Sequence, residues 1–213
     1  MKITIVGAHG KIARLLHPKL IKRGHTVRGI IRKEEQAETL KINNVEPVLC
    51  DIESEVDIAD AVGKADAVLF AAGAGPGSGT KRKWTVDRDG AIKLMRACAT
   101  NGIQRYILIS AMGLEEPRGN RDFKVYQRAK KEADEALVNS GLNYTIIKPG
   151  RLTDEEGTGK IKAGNLESGE IPREDVAEVI AESFENKNTF YNVFDITKGD
   201  TPVAEALNSL KKV

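Results

Sequence analysis

The chain has 213 residues, of which 40% are hydrophobic and 30% are charged, a composition ordinary for a globular protein. Its 33 basic and 31 acidic residues leave a net charge of +2, so no bulk field favours nucleic acid or an anionic membrane, and neither is expected as a partner. The length allows one sizeable core, and we expect a single domain over residues 1–213.

Two further features bear on location. The N-terminal run MKITIVG reads as a strand entering a glycine turn and is too short for the apolar region of a signal peptide, and no apolar run approaches the ~20 residues that span a bilayer. Cys50 and Cys98 lack metal-type spacing and lie in apolar surroundings, which is typical of buried free thiols in a reducing compartment. We therefore expect a cytoplasmic protein.

Short β-rich runs alternate with amphipathic helical runs over the first 148 residues, and several strand-like runs are apolar on both faces, as buried parallel strands are. The predicted strands cover residues 2–6, 25–31, 45–50, 67–72, 105–110 and 143–148. The predicted helices cover residues 11–23, 34–42, 55–62, 83–101 and 121–140, and Pro18 is expected to kink or interrupt the first. The alternation predicts an α/β fold, a Rossmann-like, doubly wound parallel sheet with helices on both faces.

The regular alternation of strand-like and helical runs ends at residue 148. Residues 149–170 are polar, rich in glycine and poor in helix signal. A helix is predicted from Pro172, with Asp175 in its first turn, followed by a strand over 189–196 and a closing helix over 201–212. We expect residues 149–213 to contribute the substrate side of the domain.

The run VGAHGKIA follows the first predicted strand and opens the first helix. Its first glycine permits a tight turn, its second allows backbone to approach a pyrophosphate, and Ala13 lets the helix lie close to the sheet. Amides and the helix dipole at that N-terminus favour an anion. The spacing is one residue longer than the usual dinucleotide pattern, but its position between strand and helix predicts a nucleotide cofactor. The predicted contacts are Gly7, Ala8, His9, Gly10, Lys11 and Ile12.

Three later strands end at the same edge of the predicted sheet as the glycine loop, and ligands of such sheets bind in the crevice outside these carboxyl ends. The second strand ends at Arg32, where an NAD-preferring protein usually has an acidic residue, and a guanidinium there suits the 2′-phosphate of NADP. NADP is therefore favoured, with NAD as the alternative. Asp51 and Ile52, after the third strand, are predicted to flank the adenine. Ala71, Ala72 and Gly73 follow the fourth strand, where small residues let backbone pass close to a ribose.

A Tyr-x-x-x-Lys spacing occurs twice in the chain. Tyr144 and Lys148 fall in a predicted strand and stand about 13 Å apart there, too far to cooperate. Tyr126 and Lys130 fall in a predicted helix, where side chains four residues apart are neighbours. Ser110 ends the fifth strand beside the same crevice. A neighbouring ammonium stabilises a phenolate and a hydroxyl can orient a carbonyl, so Ser110, Tyr126 and Lys130 are the predicted catalytic residues.

Five stretches, spread over most of the chain, resemble one family: GAHGKIA, VDRDGAIKLMRACATNGIQRYILISAMG, YQRAKKEADEALVNSGLNYTIIKPGRLT, GTGKI and IPREDVAEVI. They resemble the atypical short-chain dehydrogenase/reductases of the NmrA-like or biliverdin-reductase-B-like kind, and among these the small bacterial sugar-epimerase-like oxidoreductases. The resemblance implies a Rossmann-like sheet, bound NAD(P) and a Ser–Tyr–Lys site at Ser110, Tyr126 and Lys130. It also implies that Pro149, Gly150, Arg151 and Leu152 border the nicotinamide.

One position departs from that family. Many extended relatives carry an asparagine where this sequence reads TVDRDG, with Asp87, so a proton relay through that asparagine is not expected here. Some members of the family bind NADP without known turnover.

The leading hypothesis is an NADPH-dependent reductase acting on a small molecule. Tyr126 would protonate the developing oxyanion, Lys130 would lower the tyrosine pKa and hold the nicotinamide ribose, and Ser110 would orient the substrate. The alternatives are a non-catalytic NADP(H)-sensing protein and, ranked lower, an epimerase. Trp84, Met112 and Phe123 are candidate lining residues, and the chain is either a monomer or a homodimer.

Overall fold

A computed structural model describes residues 1–211 as alternating strands and helices. The strands are β1 (Lys2–Val6), β2 (Thr26–Ile31), β3 (Val45–Leu49), β4 (Ala67–Phe70), β5 (Arg105–Ile109), β6 (Asn143–Pro149), β7 (Arg151–Thr153), β8 (Lys160–Gly164), β9 (Glu170–Pro172), β10 (Asn192–Lys198) and β11 (Thr201–Pro202). The α-helices are α1 (Lys11–Lys22), α2 (Ala37–Ile42), α3 (Ala59–Val62), α4 (Gly79–Arg82), α5 (Asp89–Asn101), α6 (Arg121–Val138), α7 (Arg173–Ser183) and α8 (Val203–Asn208).

Nine strands form one sheet in the order β11-β8-β10-β6-β5-β4-β1-β2-β3. The seven strands from β10 to β3 are parallel, and β8 runs antiparallel to both β10 and β11. The chain builds outward from β1 in one direction with β2 and β3, then returns to the other side of β1 with β4, β5 and β6. The predicted doubly wound, Rossmann-like fold is confirmed, with an antiparallel edge in addition.

Successive side chains along each strand alternate between two hydrophobic clusters, one on each face of the sheet. On β5, Ile107 enters the cluster formed with α1, α7 and α8, whereas Tyr106 and Leu108 enter the cluster formed with α5 and α6. The same period of two places Ile5 and Val6 of β1 in different clusters. Both faces are therefore apolar, which explains why the strands read as continuous hydrophobic runs.

Three predicted helices differ in detail from the structure. Pro18 lies inside α1 without interrupting it. Fully buried side chains before and after the proline, such as Leu16 and Leu20, hold the helix to the sheet. The helix predicted over 55–62 is helical only from Ala59, because the Asp57 carboxylate accepts a hydrogen bond from the Ala59 N–H (2.8 Å) and holds the preceding residues in a turn. The helix predicted over 34–42 begins with a 3₁₀ turn.

The long helix predicted over 83–101 starts earlier and is not regular. It begins with α4, continues through a π-helical segment, Lys83–Arg88, and ends as α5. π-Helical turns are rare in proteins, and those that occur often lie at functional sites. Here it rotates Lys83 and Asp87 into buried positions against the loop that follows β4.

Residues 149–211 supply more of the sheet than their glycine-rich composition predicts. They contribute β8, β10 and β11 to the main sheet, and β7 and β9 pair in a separate parallel ribbon. The predicted strand over 189–196 starts later, at Asn192, because a 3₁₀ turn occupies Lys187–Thr189. The closing helix predicted over 201–212 is confined to α8, and residue 212 lies outside the described residues.

Two other expectations can be compared with the structure. Cys50 and Cys98 are both buried and free, as predicted. Over residues 1–211, none of the helices is both long and apolar enough to cross a membrane.

We expect acid to destabilise the fold through His17. This α1 side chain is fully buried, and neither ring nitrogen has a hydrogen-bond partner among residues 1–211. Burial, with smaller contributions from Arg14 and His9, lowers the pKa of His17 from 6.5 to about 4. Because the unfolded chain takes up a proton near pH 6.5 and the folded chain only near pH 4, stability falls as the pH drops between these values.

The test is denaturant unfolding of the His17→Leu variant at several pH values between 7 and 4. Its unfolding free energy should lose roughly 1.4 kcal/mol less per pH unit across this range than that of the wild type. His9→Gln, which removes a partly exposed histidine, serves as the control and should change the slope far less, because His9 is the smallest of the three causes of the His17 shift. Equal slopes for wild type and His17→Leu would show that His17 is not the acid-sensitive group.

Candidate functional site

The carboxyl ends of β1 to β5 border a crevice with two compartments that share Ala71, Ala72 and Gly73 as a common wall. The Arg32 compartment has a volume of about 300 Å³ and the Tyr126 compartment about 710 Å³. The Arg32 compartment is lined by residues that include Gly7, His9, Gly10, Arg32, Asp51, Ile52, Glu53 and Arg82. The Tyr126 compartment is lined by residues that include Ile12, Lys83, Asp87, Ser110, Phe123, Tyr126, Lys130, Leu152 and Arg173.

The glycine loop lies directly against the end of β4. Gly7 has φ +83°, and a Cβ on it would stand 2.6 Å from two backbone atoms of Ala72. The Gly10 N–H donates to the Gly7 carbonyl (2.9 Å), and α1 then begins at Lys11 without a side-chain cap and without an acidic residue in its first turn. The free N–H groups and positive end of α1 therefore face the crevice, which suits a phosphate group.

The Arg32 compartment contains an ion pair that the sequence did not reveal. Arg82 donates from Nε and Nη2 to the Glu53 carboxylate (2.9 and 2.5 Å), and the Thr85 hydroxyl donates to the same carboxylate (2.7 Å). The hydrogen bond from Arg82 lowers the pKa of Glu53, and Arg32 contributes a smaller effect in the same direction. Arg32 itself is exposed and forms no ion pair with the residues described here, so its guanidinium is available to an anion.

Five predicted cofactor contacts lie outside the two sets of lining residues. Ala8 is fully buried, with its N–H donating to the Ile30 carbonyl, and Lys11 pairs with Asp154 (2.7 Å). Pro149 is buried, Gly150 packs on the backbone of Gly169, and Arg151 forms an ion pair with Glu170. Leu152 alone of the predicted 149–152 group lines the Tyr126 compartment.

Helix α6 carries Tyr126 and Lys130 to the crevice. It begins after Asn120, whose side chain accepts a hydrogen bond from the Phe123 N–H (2.9 Å), and its fully buried Ala129 allows close packing on the sheet. Lys130 is buried, and its Nζ donates to the carbonyl of Ile109 at the end of β5 (2.5 Å). The two predicted catalytic side chains therefore line the same compartment as Ser110.

The surroundings of Tyr126 are aromatic and charged. Phe123 stacks on its ring with a centroid separation of 5.8 Å, and Lys83 Nζ lies 5.6 Å from the ring centre. Phe123 is half exposed and lines the compartment, whereas Trp84 packs against Arg88 (4.7 Å from the guanidinium carbon to the ring centre). Of the three aromatic and methionine candidates, only Phe123 is among the lining residues of the Tyr126 compartment.

The effect expected of Lys130 on the tyrosine is not found. Burial raises the pKa of Tyr126 well above its usual range, and the carboxylates of Asp87 and Asp134 raise it further. Burial also lowers the pKa of Lys130, although the same two carboxylates oppose that shift. The tyrosine pKa differs from the expectation first because the phenol is buried, and second because the fold brings two buried acids to it. The phenol therefore stays protonated at neutral pH.

Asp87 and Lys83 hold the loop that follows β4. The Asp87 carboxylate accepts a hydrogen bond from the Ala74 N–H (3.2 Å), and Lys83 Nζ donates to the Gly75 carbonyl (2.5 Å). Both side chains are buried and line the Tyr126 compartment. Lys83 carries no sequence signal that distinguishes it from a solvated lysine.

Asp134 is a further member of the site that the sequence analysis missed. It is buried, and its Oδ2 accepts a hydrogen bond from the Ser110 hydroxyl (2.8 Å) and lies 3.7 Å from Lys148 Nζ. The spacing of Tyr126, Lys130 and Asp134, four residues apart on one helix, was a usable signal. Tyr144, as expected for a strand residue, does not join Lys148; it packs edge-to-face on Tyr191 (5.9 Å).

Comparison with known proteins identifies the family of the chain. A family model described as NAD(P)H-binding matches residues 7–187. A Bacillus subtilis (strain 168) protein, "Uncharacterized sugar epimerase YhfK", is 43% identical over 214 residues, which cover 99% of this chain and 100% of that protein. The chain belongs to the NAD(P)H-binding family.

Two solved structures show the same fold at moderate identity. A Bacillus halodurans protein described as an NAD-dependent epimerase/dehydratase has a TM-score of 0.93 and 37% identity, covering 99% of this chain and 100% of that one. The oxidoreductase ylbE from Lactococcus lactis has a TM-score of 0.88 and 33% identity, covering 98% and 96%.

We expect a Gly7→Ala substitution to abolish dinucleotide binding. The new Cβ would collide with the backbone of Ala72, in addition to the cost of φ +83° for a residue with a side chain. Gly24→Ala is a matched control, because Gly24 has φ +79° with nothing within 4 Å of the added Cβ. Both variants should lose about 1–2 kcal/mol of stability from the left-handed conformation, but only Gly7→Ala should lose NADPH binding in a fluorescence titration. Wild-type affinity in folded Gly7→Ala would contradict the assignment of the loop.

Proposed function

We propose that this member of the NAD(P)H-binding family is an NADP(H)-dependent oxidoreductase that reduces a small carbonyl, quinone or flavin-like acceptor, with Tyr126 as the proton donor. One observation carries the proposal: Ser110, Tyr126 and Lys130 line a compartment that shares its wall with the compartment of the glycine loop. A cofactor across both compartments would bring its reactive end to the hydroxyl groups. Leu152 and Arg173 complete the lining, in keeping with a contribution of residues 149–213 to the substrate side.

The residues of the crevice fit a dinucleotide. The close approach of Gly7 to Ala72, the uncapped start of α1 and the small side chains at residues 71–73 leave room for backbone and phosphate to meet. Arg32 and Asp51 would hold the adenosine half, and Lys130 the ribose next to the reactive ring. When bound, the reduced nicotinamide supplies a hydride.

Tyr126 suits the role of an acid better than that of a base. Its raised pKa keeps the phenol protonated at neutral pH, so it is available to donate a hydrogen bond and then a proton to an oxygen that gains negative charge. Removing a proton from a substrate alcohol would require the phenolate, which the neighbouring Asp87 and Asp134 disfavour.

An epimerase is the second candidate, and the names of two relatives favour it. The Bacillus subtilis relative is named a sugar epimerase, and the Bacillus halodurans structure is described as an epimerase/dehydratase. An epimerase would oxidise and then reduce its substrate with no net change in the cofactor. The first half of that cycle needs a base, so Tyr126 would have to release its proton against the burial and the two carboxylates that raise its pKa.

The function is tested by following NADPH absorbance with a panel of carbonyl compounds, quinones and flavins. Net oxidation with one of these classes supports the reductase. Interconversion of nucleotide sugars without net oxidation would identify an epimerase, and tight binding of NADPH without any turnover would identify a sensing protein.

The preference for NADP is tested at Arg32. Its free guanidinium should contact the 2′-phosphate, and a charge-assisted hydrogen bond of about 1.5–3 kcal/mol corresponds to a tenfold to hundredfold change in affinity. We therefore expect Arg32→Ala to weaken NADPH binding by about that factor while leaving NADH binding within about threefold. Lys33→Ala is the control, since Lys33 pairs with Glu35 (3.1 Å) and should change neither affinity. Equal wild-type affinities for NADPH and NADH would contradict the assignment.

The proton donor is tested with Tyr126→Phe. With a carbonyl acceptor we expect kcat to fall about a hundredfold, because the oxyanion loses its acid. A quinone or flavin, which takes hydride without a strict acid, should lose much less. Tyr144→Phe is the control from the other Tyr-x-x-x-Lys pair and should keep wild-type kcat. Full carbonyl turnover by Tyr126→Phe would remove the tyrosine from the mechanism.

A further inference from the structure

The Ser110 hydroxyl is committed to Asp134 rather than to the crevice. A serine hydroxyl has one hydrogen to donate, and in this structure Ser110 Oγ donates it to Asp134 Oδ2 over 2.8 Å. While that bond lasts, Ser110 can offer only lone pairs to a ligand. A substrate carbonyl also offers only lone pairs, so the two oxygens cannot form a hydrogen bond with each other.

The two oxygens of Asp134 lie in different environments. Oδ1 is buried and has no hydrogen-bond partner within residues 1–211, although a charged carboxylate has strong acceptors on both oxygens. An unpaired buried acceptor is costly, and a proton on the carboxyl group reduces that cost. The geometry therefore suits a carboxyl group that is protonated part of the time.

Charged groups from several elements face Asp134. Burial is the largest effect and raises the pKa of Asp134 to about 6, whereas the Ser110 hydroxyl, Lys130 from its own helix and Lys148 from β6 favour the charged form. Tyr126 lies on the same helix face, and Asp195 of β10 and Glu115 of the β5–α6 loop lie near Lys148. The carboxyl group thus titrates close to neutral pH.

We propose that Asp134 is a protonation-controlled positioning residue that decides whether Ser110 donates a hydrogen bond to the acceptor oxygen. When Asp134 is a carboxylate, it takes the Ser110 hydrogen and Ser110 cannot hold a carbonyl. When Asp134 is a carboxylic acid, its own O–H donates to Ser110 Oγ, and the Ser110 hydrogen turns to the acceptor. This inference rests on the proposed reductase function, because it assigns Ser110 a carbonyl to hold.

Lys148 lies between Asp134 and solvent. Its side chain is 19% exposed and lines a groove with Asp195, Asn165 and Gly164, whereas that of Asp134 is 9% exposed. The proton that Asp134 takes up is bound before the hydride step and stays on the carboxyl group during that step. It is not transferred to the product. The proton that ends on the product oxygen comes from Tyr126.

The activity test compares pH profiles of wild type and Asp134→Asn with a carbonyl acceptor. In the wild type, kcat/KM should fall about tenfold per pH unit above the apparent pKa of Asp134, because the active acid form disappears. The asparagine amide can donate to Ser110 Oγ at every pH, so Asp134→Asn should retain the low-pH activity and lose this decline. A decline that persists unchanged in Asp134→Asn, or an asparagine variant inactive at every pH, would overturn the proposal.

Lys148→Met shifts the switch without removing it. Methionine keeps much of the apolar stem but not the ammonium that favours the carboxylate, so the decline should move to higher pH by about half a unit or more. Lys162→Met is the control, because Lys162 is an exposed lysine of β8, and it should leave the profile unchanged. A Lys148→Met profile that stays in place or moves to lower pH would count against the switch.

A measurement without turnover separates this inference from the proposed function. Carbon-detected NMR of the side-chain carboxyl groups in the cofactor-free protein should show one aspartate titrating near pH 6 that is absent in Asp134→Asn. Its pKa should rise in Ser110→Ala, because the carboxylate loses a donor. A carboxyl group that remains charged to pH 4 overturns the switch even if NADPH is oxidised. Titration as expected in a protein that oxidises no acceptor would establish the coupling of Asp134 to Ser110 while refuting the reductase.

Discussion

The close approach of Gly7 to the end of β4 is the contact on which the crevice depends. The chain builds β2 and β3 on one side of β1 and β4 to β6 on the other, so the loops after β1 and β4 diverge above the sheet. A Cβ at position 7 would stand 2.6 Å from the Ala72 backbone, so only glycine lets the β1 loop lie this close to the end of β4. The two compartments both use residues 71–73 as a wall, and Gly7 itself lines the Arg32 compartment.

Charged side chains are buried along one face of α6. Lys130 and Asp134 lie one and two turns beyond Tyr126, and each must find partners because an unpaired buried charge is costly. Lys130 finds the Ile109 carbonyl at the end of β5, and Asp134 finds Ser110 and Lys148. The ends of two neighbouring parallel strands therefore fix the helix residues of the site. This arrangement keeps the side chains oriented before any ligand binds, which is what a preorganised site requires.

The resemblance to the short-chain dehydrogenase/reductases gives the family and cofactor class but not the local electrostatics. Asp87 stands where many extended relatives have asparagine, and here its carboxylate holds the loop after β4 through the Ala74 N–H. Together with Asp134 it raises the pKa of Tyr126, so a Tyr-x-x-x-Lys pattern alone does not guarantee a lowered tyrosine pKa. The net direction depends on all the buried charges around the phenol, and burial is the largest contribution.

The sequence by itself determined the alternation of strands and helices, the glycine loop and the placement of one Tyr-x-x-x-Lys pair on a helix and the other on a strand. These features follow from periodicity and spacing along one element. It did not reveal the Arg82–Glu53 pair, the burial of Lys83 or the link from Ser110 to Asp134 and Lys148. Lys148 was set aside with Tyr144 as too distant, and it entered the site through a different partner. Such contacts join residues from separate elements, and only the packing of α6 across β5 and β6 decided which charges meet and how far water is excluded from them.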